Sequence, residues 1–155
     1  MGSGKTAVGE RAARQLGLPF ADLDTVIELH LGQPIGAVFA SRGEAYFRRV
    51  EARLLKSVLQ PGLVAALGGG TPVPDSNWKV IRRRARTIWL DAPLEAIWGR
   101  ISTSTGRPLL SGRSKQEVGK LLAARRARYA EADHRVDAAR GLDEVVQEVV
   151  RIWSG

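Results

Sequence analysis

Gly2-Ser3-Gly4-Lys5-Thr6 stands at the head of the chain, directly before a segment with helical patterning. Glycines let backbone N–H groups close around phosphate oxygens, and a following helix aims its N-terminus at the same charge. In such a loop Lys5 reaches the β- and γ-phosphates of a nucleotide, and the Thr6 hydroxyl ligates Mg²⁺. The expected nucleotide-binding run is Gly2, Ser3, Gly4, Lys5, Thr6 and Ala7. The alternative is an ordinary glycine-rich tail. The full pattern G-x-x-x-x-G-K-[ST] puts its first glycine two residues ahead of Met1, and the strand that feeds the loop is likewise outside the chain as written. The expectation is that Met1 is not the natural start of the working protein, and that a gap accompanies the strand at Leu63 to Leu67.

Asp22 and Asp24 sit at the expected end of a strand, on alternate positions that share a face. Two carboxylates beside a phosphate loop suit two tasks: holding Mg²⁺ through water, and accepting a proton from a hydroxyl nucleophile. The competing reading is a turn in which Asp24 caps the next helix. Gly43-Glu44-Ala45-Tyr46-Phe47-Arg48 opens a helix on which Arg48 and Glu51 share a face, as a surface salt bridge would also require. Gly68-Gly69-Gly70 follows an apolar run. Three glycines carry a large cost in backbone entropy and make sense where the chain passes very close to a ligand. Arg107-Pro108-Leu109-Leu110 lies in a Ser-, Thr-, Gly- and Arg-rich stretch over 102–113, expected to be a mobile lid whose arginine closes over phosphates.

The elements that must position these residues alternate between helix and strand. Helices are expected at Ala7–Leu16, Thr25–Leu31, Ile35–Ser41, Glu44–Leu59, Asp75–Arg84 and Pro93–Ile101. Ser114-Lys115-Gln116-Glu117 is a capping box opening a helix to about Ala132, and a last helix runs from Leu142 to Trp153. Strands are expected at Leu18–Ala21, Leu63–Leu67, Thr87–Leu90 and Arg135–Ala138. The alternation means an α/β fold with a parallel sheet covered on both faces. Trp78, Trp89, Trp98 and Trp153 read as packing residues rather than a stacking platform.

The chain has 155 residues, enough to bury a core, and carries a formal charge of +8. That balance favours anionic partners: nucleic acid or phosphorylated small molecules. The densest basic run, Arg82-Arg83-Arg84-Ala85-Arg86, has no interleaved aromatics and reads as a solvated helix end. There is no cysteine, which excludes disulfides and thiolate metal sites, and with only His30 and His134 a histidine metal site or a Ser-His-Asp triad is not expected. No apolar run reaches the roughly 20 residues of a membrane helix, and no secretory leader opens the chain as written. Cytoplasm is the default expectation, with no membrane partner.

In order, these pieces resemble shikimate kinase over essentially the whole chain. The resemblance rests on Gly-Ser-Gly-Lys-Thr, Asp22-x-Asp24, Gly43-Glu44-x-x-Phe47-Arg48, Gly68-Gly69-Gly70, Arg107-Pro108-Leu109-Leu110, and Arg125 four residues before Tyr129. It implies a three-layer α/β/α fold with a parallel sheet, a P-loop NTPase of the nucleoside-monophosphate-kinase type, in one domain over 1–155. The substrate-binding region would span about 25–59. The implied activity is ATP- and Mg²⁺-dependent phosphorylation of the 3-hydroxyl of shikimate, a step towards chorismate and the aromatic amino acids. By matching position, Lys5 and Thr6 are implied as phosphate and metal residues, Asp22 as a further metal residue, and Asp24 as the residue that activates the hydroxyl. Arg48 and Arg125 are implied to hold the shikimate carboxylate. Gly68, Gly69 and Gly70 would line its pocket, Arg107 would be the lid arginine, and Arg100 and Arg140 would flank the adenine.

Three other readings are weighed. One is a kinase of another small hydroxy acid such as gluconate, against which Arg48, Arg125 and the triple glycine argue. Another is a nucleotide-binding relative without catalysis, supported only by the shortened loop. The third is nucleic-acid binding, which the charge alone favours. The resemblance implies ATP and shikimate as partners, no nucleic acid, and a monomer.

Overall fold

The computed structural model describes residues 2–102 and 113–155. The expected lid, with Arg107, lies outside the described residues apart from its two ends.

Helix α1 (Lys5–Leu16) begins directly after Gly4, whose φ of 87° is a left-handed conformation that an L side chain resists. Strand β1 (Phe20–Asp22) then feeds α2 (Leu23–Leu31). The next helix, α3 (Ile35–Val58), is broken at Gly43, where φ 77° and ψ 170° turn the chain, so the two helices expected on either side are distinct bodies. Strand β2 (Val64–Ala66), α4 (Asp75–Arg84), β3 (Ile88–Asp91) and α5 (Leu94–Ser102) follow. Helix α6 (Lys115–Tyr129) opens on the expected capping box: Ser114 accepts from the Glu117 N–H, and the Glu117 carboxylate accepts from the Ser114 N–H. Strand β4 (His134–Asp137) and α7 (Leu142–Ser154) complete the order.

Strand pairing is parallel throughout: β1 with β2 in the register Phe20 to Val64, and β3 with β4 in the register Ile88 to His134. Alternation sends neighbours to opposite layers. A Cβ on Gly9 of α1 would meet the Phe20 ring at 2.7 Å, while Ala21 packs with the core of α2, α3 and α4. That core holds Leu23, Ile27, Val38, Phe47, Leu55 and Ile81. A second core joins α1 and α7 to the other pair of strands through Val8, Ala12, Val136, Val145 and Val146. A third, under α5 and α6, gathers Ile97, Ile101 and Val118.

The sheet is not continuous. The strands form two two-stranded ladders, and β2 does not pair with β3. A cavity of about 1030 Å³ lies between them, lined by Ala66 and Leu67 on one side and Trp89 and Leu90 on the other. This is the gap expected beside residues 63–67. The basic run behaves as a solvated helix end: Arg82, Arg83 and Arg84 occupy the exposed last turn of α4, where cations suit the dipole. Trp78 is buried and its indole N–H donates to Glu131 at 2.8 Å, whereas Trp153 is exposed. No helix among the described residues is long and apolar enough to cross a membrane.

Candidate active site

The phosphate-loop residues converge on the start of α1. Gly2 is buried so tightly that a Cβ would lie 2.9 Å from Ile97 Cγ2. The Thr6 hydroxyl donates to Asp22 Oδ2 at 2.6 Å, which ties the first turn of α1 to the end of β1. Ala7 sits on the exposed side of the same turn.

Asp22 and Asp24 are brought together, but not in the way alternation suggests. The strand ends at Asp22 and α2 starts at Leu23, so Asp24 is helical and shares no strand face with Asp22. Asp22 is the cap: its Oδ1 accepts from the Asp24 N–H at 3.0 Å while its other oxygen holds Thr6. Asp24 is therefore not the helix cap, and its carboxylate is left for other work. Burial, reinforced by the charges of Asp22 and Glu51 and opposed by Lys5, pushes the Asp24 carboxyl up to about 6. A carboxylate with that value is ionised at neutral pH and is basic enough to take a proton from a hydroxyl as bonding changes.

The glycine turn closes over Asp24. A Cβ on Gly68 would lie 3.1 Å from Asp24 Oδ1, and one on Gly70 would lie 2.6 Å from Arg48 Nη2. The glycines thus make room first for the chain's own site residues. Arg48 lies against this turn. Its Nη1 donates to Glu51 at 3.1 and 2.8 Å, and its Nη2 reaches Glu44 at 3.3 Å. The competing reading of a surface pair does not hold for Glu51, which is only 1% exposed. These contacts outweigh desolvation and hold the guanidinium in its charged form, its pKa above the usual arginine value. From α6, Tyr129 donates to the Gly69 carbonyl at 2.6 Å, and the charge of Arg125, one helical turn earlier, acts on the same hydroxyl. Arg48 and Arg125 are consequently linked to one turn.

The adenine-side candidates both hold contacts within the chain. Arg100 donates to the Ala138 carbonyl at 2.9 Å and to the Gly2 carbonyl at 3.4 Å, so it braces the phosphate loop. Arg140 pairs with Glu148 on the surface. Sequence reasoning gave no role to Thr71 or Asn77, two buried polar residues beside the glycines, because neither carries charge or motif spacing. Glu51 had a signal in its spacing from Arg48, but not of its depth.

Oxygen donors at Thr6 and Asp22 suit a hard divalent cation such as Mg²⁺, which keeps several waters and shares its shell with substrate phosphates. Among the described residues no group of three or more His, Cys, Asp or Glu side chains is placed to hold a metal ion.

A family model described as shikimate kinase matches residues 1–153. A shikimate kinase of Gloeobacter violaceus is 41% identical over 97% of this chain and 86% of its own length. One from Salinibacter ruber is 38% identical, covering 98% of this chain and 80% of the relative. Among solved structures, shikimate kinase from Acinetobacter baumannii in complex with shikimate superposes with a TM-score of 0.93 at 31% identity, over 99% of this chain and 88% of that one.

Proposed function

This chain belongs to the shikimate kinase family, and we propose that its P-loop fold moves the γ-phosphoryl group of ATP to the 3-hydroxyl of shikimate through the residues gathered around Asp24. The observation that supports this most is the placement of Asp24. Its carboxyl, raised to about 6, lies under the glycine turn against which Arg48 packs, and the charges of Lys5 and Asp22 act on it.

In this reading the carboxylate of shikimate lies between Arg48 and Arg125, whose guanidinium groups can each present paired N–H donors. Gly69 offers backbone to the ring, with Gly68 and Gly70 keeping the approach open. Asp24 takes the proton of the 3-hydroxyl as its oxygen attacks the γ-phosphorus. The bond from that phosphorus to the β–γ bridging oxygen breaks, ADP departs, and the proton rests on Asp24 until solvent removes it. Gly2, Ser3, Gly4 and Ala7 direct backbone N–H groups at the phosphates, and Lys5 neutralises charge on the β- and γ-oxygens. Thr6 and Asp22 would hold a Mg²⁺ ion, which supplies neutralisation of phosphate charge. Arg107 would neutralise charge on the phosphates in transfer, and Arg100 and Arg140 would flank the adenine.

The same proposal takes the chain as one kinase domain with its acceptor region over about 25–59, acting as a cytoplasmic monomer. The direct test is ADP release coupled to NADH oxidation, with shikimate, gluconate and a nucleoside monophosphate as acceptors. Rapid release with shikimate, dependent on Mg²⁺, is expected. Faster turnover of gluconate would overturn the acceptor assignment.

A further inference from the structure

Two hydroxyls tie the Gly68–Thr71 turn to neighbouring helices, and neither has a place in the reaction as described. Thr71 is 0% exposed, and its hydroxyl donates to Glu51 Oε1 at 2.7 Å. The same carboxylate receives both hydrogen bonds of Arg48 Nη1. Thr71 is itself anchored, since its N–H donates to the Gly68 carbonyl at 3.0 Å and its carbonyl accepts from Asn77 Nδ2 at 2.9 Å. On the other side the Tyr129 hydroxyl donates to Gly69 O at 2.6 Å, and Arg125, one helical turn earlier on α6, is near enough for its charge to act on that hydroxyl.

The physical consequence is a shared frame. A buried carboxylate must have its oxygens satisfied, and a missing donor leaves it to be re-satisfied by whatever cation can move. At Glu51 the movable cation is Arg48, a half-buried side chain. With Thr71 in place, Oε1 has two donors and Arg48 has no reason to turn inward. At Tyr129 the phenol carries one bond into the backbone of the turn, and the charge of the Arg125 guanidinium, one turn earlier on the same helix, acts on that phenol. Each arginine is thereby referred to the same four-residue turn, Thr71 acting through Glu51 and Tyr129 directly.

We propose that Thr71 and Tyr129 are positioning residues for the acceptor, whose hydroxyls fix the spacing of the Arg48 and Arg125 guanidinium groups through the Gly68–Thr71 turn. The inference rests on the reading that an acceptor carboxylate lies between those two arginines. Neither hydroxyl is required to touch the substrate. Their effect falls on acceptor binding and leaves nucleotide binding alone, because the phosphate loop is braced separately by Asp22 and Arg100.

The test uses Thr71→Val, Thr71→Ser and Tyr129→Phe in the full chain, with KM for shikimate, KM for ATP and kcat measured for each. Thr71→Val and Tyr129→Phe should each raise the shikimate KM roughly five- to tenfold, the weight of about one hydrogen bond, while the ATP KM changes less than about twofold. Thr71→Ser keeps the donor and should recover most of the loss. In an Arg48→Ala background Thr71→Val should add little, since it acts through that arginine. Parallel rises in both KM values, a Thr71→Ser variant as poor as Thr71→Val, or full additivity with Arg48→Ala would each overturn the proposal. Backbone amide spectra of Gly68, Gly69 and Gly70 separate the two levels of the argument. If the wild-type chain does not use shikimate, the acceptor reading falls. The frame itself falls if those amides are unmoved in Thr71→Val and Tyr129→Phe.

Discussion

The Thr6 hydroxyl donates to Asp22 Oδ2 at 2.6 Å, joining the residue after the phosphate-loop lysine to the last residue of β1. The other Asp22 oxygen caps α2 through the Asp24 N–H. One carboxylate therefore sets the position of both the expected metal ligand and the expected proton acceptor. Asp22→Asn keeps the shape and one acceptor oxygen but loses the charge. It should raise the Mg²⁺ concentration needed for half-maximal rate several-fold and cost about 1 kcal/mol or less at the cap. Titration of activity against Mg²⁺ checks this, and an unchanged midpoint would remove Asp22 from the metal site.

Asp24 carries the pH dependence. Its carboxyl is raised to about 6, so the ionised form needed to accept a proton is lost as pH falls through that value. The acid limb of kcat/KM for shikimate should bend near pH 6. Asp24→Asn should lower kcat by roughly 10²–10⁴-fold and abolish the bend. A variant retaining wild-type kcat would strip Asp24 of the catalytic role.

The same shift is a cost to folding. A raised carboxyl binds its proton more tightly folded than unfolded, so its favourable contribution is complete below pH 4 and is lost as pH rises through about 6. At neutral pH the penalty for keeping Asp24 ionised is at most about 3 kcal/mol. Asp24→Asn should therefore melt higher than wild type at pH 7, with the difference shrinking by pH 4.5. Calorimetric scans at the two values decide it; a gap that widens in acid contradicts the sign.

Gly70 tests how closely Arg48 lies against the turn. A Cβ there would stand 2.6 Å from Nη2, the far end of a side chain that can move. Gly70→Ala should cost little stability yet raise the shikimate KM about tenfold or more by displacing the guanidinium from its place, with kcat less affected. Equal affinity in the variant would mean that Arg48 need not sit where the structure has it.

The cavity between β2 and β3 presents two unpaired parallel strand edges and apolar walls. An apolar strand-forming segment of five or six residues fused ahead of Met1 should pair with both edges. Each fully buried aliphatic side chain it brings is worth roughly 1.5–3 kcal/mol, so a rise in Tm of many degrees is expected. The comparison is between the chain as written and the fused chain, by calorimetry and by ATP affinity. No change in either would show that the cavity does not accept a strand.

Much of this protein was legible in its sequence. The helix and strand positions, the break at Gly43, the capping box at Ser114 and the parallel pairing all follow from local rules, because periodicity, caps and glycine geometry act over a few residues. The motif residues Lys5, Thr6, Asp22, Asp24, Arg48 and the three glycines were likewise visible, since their types and spacing carry the chemistry. What the tertiary structure decided are the relationships across elements. Only the fold placed Asp22 rather than Asp24 at the cap of α2, and made of Glu51 a buried partner instead of a surface one. It also brought Thr71 and Tyr129, 58 positions apart along the chain, to the same turn. The raised carboxyl of Asp24 belongs to this second class. Desolvation and the pull of neighbouring charges depend on distance in space and on excluded water, and neither quantity is written in the order of the residues.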